Sequence, residues 1–235
     1  MAQKSKPIDL QARDTLTKSD PYGIRLGVDI SRPVTSFFRE GYTGLELVGD
    51  YRITDRLYLA GELGNEKLTD QEDLYNYTVS GSYLKLGVDY NTYSNWYGMF
   101  NSIYVGGRYS FASFSQSLNS YEIFDSNRYF FPDGFAPGGN IPEEFNGLSA
   151  SWLEMILGVK AELFANIYIG MSVRLGLLVT QNGSERFNDR LLWIPGFNKV
   201  TDASRFGVGY NYTISYFIPL YKKAKKKKTE ENKPQ

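Results

Sequence analysis

The sequence predicts an all-β protein: an eight-stranded antiparallel transmembrane β-barrel with a polar, plugged interior, short periplasmic turns and long extracellular loops. Three observations point there. Arg205 to Tyr221 alternates Phe206, Val208, Tyr210, Tyr212, Ile214, Tyr216 and Ile218 with Gly207, Gly209, Asn211, Thr213 and Ser215, the period of one long strand with a greasy face and a small, polar face. Seven earlier stretches repeat that pattern. Long connections then alternate with short ones, as loops and turns do around an outer-membrane barrel.

Composition agrees and excludes several functions. No run of about 18 apolar residues is present, so no helix is expected to span a membrane, whereas barrel strands reveal only every second apolar residue. The chain holds 19 Tyr, 15 Phe and 3 Trp, the ring-bearing residues that gather at membrane interfaces. Lys plus Arg equals Asp plus Glu at 26 each, which argues against a nucleic-acid partner. Cysteine is absent, as is histidine, removing thiol chemistry, the commonest general base and most zinc and haem ligation.

Residues 1–21 are polar and read as a flexible leader. Strand one spans Tyr22 to Ile30, with Ile24, Leu26 and Val28 opposite Arg25, Gly27 and Asp29; Ser31-Arg32-Pro33 breaks it, and a loop carrying Phe37 and Phe38 follows. Strand two, Tyr42 to Ile53, sets Leu45, Leu47 and Tyr51 against Glu46, Asp50 and Arg52, and Thr54-Asp55-Arg56 turns into strand three, Leu57 to Asn65, where Glu62 takes the polar parity. An acidic loop with Asp70, Glu72 and Asp73 leads to strand four, Tyr77 to Tyr90, with Lys85 and Asp89 on the polar face. Strand five, Trp96 to Phe114, carries Arg108; the longest loop follows, about Gln116 to Asn146. Strand six, Leu148 to Phe164, carries Glu154, Lys160 and Glu162; strand seven, Ile167 to Thr180, carries Arg174. A second long loop, Gln181 to Ser204, precedes strand eight, and residues 222–235 form a basic periplasmic tail. The barrel is thus expected over residues 22–221.

Periodicity alone leaves two barrels open: a lipid-facing one with polar residues inside, and a soluble, lipocalin-like one with the faces reversed. The content of the polar parity favours the first. Arg25, Asp29, Glu46, Asp50, Arg52, Glu62, Lys85, Asp89, Arg108, Glu154, Lys160, Glu162 and Arg174 nearly balance in charge and are interspersed with glycines, as an interior ion-pair network would need. Glycine makes room inside an eight-stranded barrel for a neighbour's long side chain. A filled interior also argues against a channel.

Paired carboxylates such as Asp50 and Glu62 have the chemistry for acid–base work, but balanced ion pairs explain them more simply. The loop acids lack the spacing of a calcium loop. No catalytic, cofactor-binding or metal-binding residue is assigned, and no cofactor is expected. Phe130, Phe131 and Trp193 put large rings in outer loops, either as partner contacts or packed together as a lid. Lys225, Lys226, Lys227 and Lys228 belong to a charge run suited to anionic headgroups or an acidic partner, or to a plain solvated tail.

Through Gly27-Val28-Asp29, the run Lys160 to Phe164, Ile194-Pro195-Gly196-Phe197-Asn198 and the run Asn211 to Leu220, the chain resembles an uncharacterised family (a domain of unknown function) of outer-membrane β-barrel proteins in Bacteroidota. The resemblance implies the fold and a location in the cell outer membrane, and carries no active-site residues. With no catalytic set and no pore, the expected role is non-enzymatic. It is an accessory or interaction subunit of a larger envelope complex, for outer-membrane protein assembly or secretion, in contact with membrane lipid and other envelope proteins. The alternative is a stand-alone structural or adhesive barrel.

Overall fold

A computed structural model describes residues 19–73, 75–93, 100–124, 135–139, 143–182, 191–199 and 204–224. The elements are β1 (Ser19–Asp29), α1 (Ser31–Phe38), β2 (Tyr42–Arg52), β3 (Leu57–Gln71), β4 (Tyr75–Asn91), β5 (Ser102–Phe124), β6 (Phe135–Gly139), β7 (Glu143–Phe164), β8 (Ile167–Asn182) and β9 (Phe206–Ala224). Eight of the strands form a closed antiparallel ring, β1-β2-β3-β4-β5-β7-β8-β9 and back to β1, with β6 added to β5 as a short extra strand.

The two parities part as the alternation requires. Leu47, Leu86, Leu157, Val173 and Ile214 stand exposed on the outside, while Glu46, Lys85, Glu154, Arg174 and Asn211 are buried within the ring. The lipocalin-like arrangement is therefore the wrong way round for this chain.

β3, β5 and β7 outrun their expected ends because polarity inverts along them, as it also does along β4. On β4, Lys85 and Asp89 point inward below Tyr77 and Val79, which are also inward and buried; outside, Leu84 and Leu86 give way to exposed Ser82. On β5 the inward Arg108 is succeeded by Ala112, Phe114 and Leu118. The apolar parity does not end at this height; it changes sides. β3, β4, β5 and β7 consequently rise above the apolar band as a tall wall with its own apolar core of Val79, Tyr83, Phe114, Trp152, Leu191, Ile194 and Phe197.

Connections differ accordingly. The acidic loop expected after strand three is mostly strand, with Asp70 inside β3 and Glu72 and Asp73 just beyond its end. The expected loop 116–146 is partly consumed by β5, β6 and β7, which pair as Gln116↔Phe145 and Ser117↔Glu144. At the opposite end Ala165-Asn166 joins β7 to β8, with Asn166 at φ 68°, a left-handed conformation that Asn tolerates in a two-residue hairpin turn.

The segment after β1 departs furthest from expectation. It is a helix, α1, and not a loop. Pro33 does not prevent it, because the first-turn amides of a helix have no intrahelical partner to lose. Val34 N–H already reaches Ile30 O at 3.1 Å, and Arg39 N–H closes the far end on Thr35 O at 2.8 Å. No helix among the described residues is long and apolar enough to cross a membrane.

Candidate functional site

The ring encloses a column of charged side chains running its length. At the end holding both strand termini, Arg25 pairs with Asp50 at 2.9 Å and Lys160 with the other Asp50 oxygen at 2.7 Å. Arg52 closes that mouth on Asp20 at 3.4 Å and on Pro21 O at 3.0 Å. Midway, Arg108 pairs with Asp89 at 2.8 Å and with Glu62 at 3.5 Å. Arg174 joins Glu62 to Glu154, and Lys85 meets Glu154 at 2.9 Å. Each strand delivers its charge inward because the position shares parity with its other buried residues, so partners distant in sequence face each other across the lumen.

The upper third is where sequence reasoning fell short. Arg32, in α1, lies buried among three acids: Glu66 at 3.0 Å, Glu46 at 3.8 Å and Asp29 at 3.8 Å. Tyr83 donates to Glu46 at 2.5 Å, Asn211 donates to Glu46 at 2.9 Å, and Ser31 binds Asp29 through both its amide and its hydroxyl. Glu66 had a signal, since it continues the period of Glu62 and Gly64 once β3 is allowed past Asn65. Arg32 had none, because its direction depends on a helix.

Above this cluster the segment 191–199 folds into the barrel mouth. Ile194 and Phe197 are buried, with the Phe197 ring 5.4 Å from that of Trp152. The backbone of Gly196 is gripped from both sides: its N–H donates to Glu66 at 3.0 Å, and its carbonyl accepts from Lys85 at 3.1 Å. Gly196 has φ +76°, and a Cβ there would sit 2.7 Å from the Tyr83 ring. A glycine is required on both counts. Interior glycines receive rings as well as ionic side chains, for Tyr104 lies over Gly158.

All the expected interior residues except Glu162 are buried or form ion pairs within this column. Glu162 is half-buried at the turn end, where it accepts the Asn166 N–H at 3.0 Å. Trp193 is half-buried, packs on the interior cluster and meets Tyr42 edge-on at 6.5 Å. Phe130, Phe131, Lys225, Lys226, Lys227 and Lys228, the leader residues 1–18 and the tail from 225 onward lie outside the described residues.

What the column can do chemically is limited. A carboxylate such as Glu62 or Asp50 is committed to cations on two sides. Cavities of about 30 Å³ beside Arg25, Asp50 and Lys160 and about 10 Å³ beside Asn198 and Asn211 have room for a few water molecules at most, since one water needs roughly 10–15 Å³. No group of three or more potential metal ligands occurs among the described residues.

The chain belongs to the family described as a domain of unknown function (DUF6048), matched over residues 1–223. Among solved structures it is similar to Ail, the attachment invasion locus protein of Yersinia pestis, at 10% identity, covering 86% of this chain and 99% of that one with a TM-score of 0.41. No curated protein matches the sequence.

Proposed function

We propose that this protein is a small barrel of a bacterial outer membrane that acts through its outer surfaces, without a catalytic centre or an open pore. The observation that carries the reading is inside-out polarity: every strand of the ring presents exposed Leu, Val, Ile or aromatic residues outward while charges fill the lumen. An apolar surface of that extent aggregates in water and is solvated by lipid. Exposed rings flank the band, with Tyr90, Phe164 and Tyr221 toward the turn end and Phe111 and Phe206 toward the opposite end, in the manner of aromatic girdles. The Bacteroidota setting is supported by the sequence resemblance alone.

Ion-paired interior carboxylates and water-sized cavities support a structural or adhesive barrel over an enzyme or channel. The accessory-subunit role is the second reading, and a protein surface covering the exposed Phe37 and Phe38 rings in place of lipid would favour it. Gradient fractionation of native membranes followed by mild detergent extraction and a tagged pull-down tests both. Co-migration with outer-membrane markers supports the location, and recovery with the inner membrane contradicts it. A barrel recovered alone supports the stand-alone role, and a stoichiometric set of envelope proteins supports the subunit role.

A further inference from the structure

The wall of the ring is not strand all the way round. β1 ends at Asp29, level with Glu46 on β2 and Thr213 on β9. β2 continues beyond that level to Tyr42, and β9 to Phe206, so each has an edge that β1 does not cover. α1 stands in this gap. It satisfies β2 through Ser36, whose Oγ accepts the Gly44 N–H at 3.0 Å, and the Ile30 N–H beside it donates to Tyr212 O at 2.7 Å. Higher on β9, the Val208 N–H donates to Asn198 O of the plug at 3.0 Å.

Inward, α1 offers only Ser31 and Arg32 as buried residues. Outward it offers Val34, Phe37 and Phe38, with Phe37 86% and Phe38 81% exposed. Its one charged side chain, Arg32, is turned inward, so the outer face is uncharged. Leu45 on β2 and Val208 and Tyr210 on β9, at either side of the gap, are exposed as well, so apolar side chains border the helix on both sides, up to the exposed Arg39–Asp70 pair at its far end.

We propose that α1 is a lipid-facing piece of the barrel wall, with Val34, Phe37 and Phe38 covered by acyl chains. Hydrocarbon tolerates a gap between strands only where the backbone polar groups are satisfied within the protein, and the Ser36, Tyr212 and Asn198 hydrogen bonds serve the edges in that way. The exposed apolar residues that border α1 on both β2 and β9 identify lipid as the occupant. The inference rests on the outer-membrane reading.

The chain has no cysteine, so a single introduced thiol reports one position. Phe38→Cys and Phe37→Cys, with Leu47→Cys as the band reference and Asn65→Cys as the polar-wall reference, are nitroxide-labelled in the full chain reconstituted in phospholipid vesicles. Collision with oxygen is compared with collision with a water-soluble nickel chelate. Labels at 37 and 38 should match the label at 47, with high oxygen and low nickel access. High nickel access at 37 and 38 with a lipid-like reading at 47 overturns the inference and leaves the barrel reading intact. Low access to both reagents at 37 and 38 assigns the patch to a protein surface and also overturns it. A water-like reading at 47 defeats the outer-membrane reading itself.

Discussion

Arg32 on α1 reaches Glu66 on β3 inside the barrel, with Nη1 3.0 Å from the carboxylate and both side chains buried. This pair fastens α1 to the charge column, since Arg32 also lies near Glu46 and Asp29. Removing the guanidinium leaves three buried acids short of a cation. Arg32→Ala should cost about 3–5 kcal/mol, the usual penalty for orphaning a buried ion-pair partner, in urea unfolding from vesicles. Adding Glu66→Gln to Arg32→Ala should recover part of the loss, because one uncompensated charge is removed with it.

Lys85 and Glu154 offer a second test of the column. Their contact is 2.9 Å, and Trp152 Nε1–H donates to the same Glu154 oxygen at 2.6 Å. Lys85→Met alone should destabilise by about 3–5 kcal/mol, and Lys85→Met with Glu154→Gln by clearly less than the sum of the single changes. Additive losses would mean that the two side chains are not coupled.

Gly196 governs the plug. Alanine there meets both the left-handed backbone and the Tyr83 ring, and should cost about 1–3 kcal/mol. Hydrogen exchange should show faster exchange at the Gly196 amide, which now donates to Glu66, with little change in the ladder between β7 and β8.

A filled column predicts electrical silence. Planar bilayers containing the purified barrel should show no reproducible conductance steps, since ion pairs and the 191–199 segment occupy the lumen. Steady open-channel currents would contradict the packing around Arg108, Arg174 and Lys85.

Much of this was legible in the sequence because period-two alternation is a local signal. The positions of Arg25, Asp50, Lys85, Glu154 and Arg174 follow from parity alone. Three features were not legible, for three reasons. The strand ends on β3 and β5 were missed because the apolar parity changes sides above Asn65 and Ser113, so a search for one continuous greasy face stops there. Arg32 was missed because Pro33 reads as a strand breaker, and its tolerance in a first helical turn matters only once a helix is known to form. Ile194 and Phe197 carry no local mark of being inside; their burial depends on Trp152 and Tyr83 from distant strands.

The most direct test of the central claim is folding with and without a bilayer. Urea-unfolded chain diluted into phospholipid vesicles should acquire β-structure and a compact, heat-sensitive gel migration, while dilution into detergent-free buffer should give aggregate. Leu157, exposed on the outer face of β7, should resist charge, with Leu157→Arg costing about 2–4 kcal/mol in vesicles if it lies near the bilayer midplane. A soluble, folded monomer in plain buffer, indifferent to Leu157→Arg, would contradict the account.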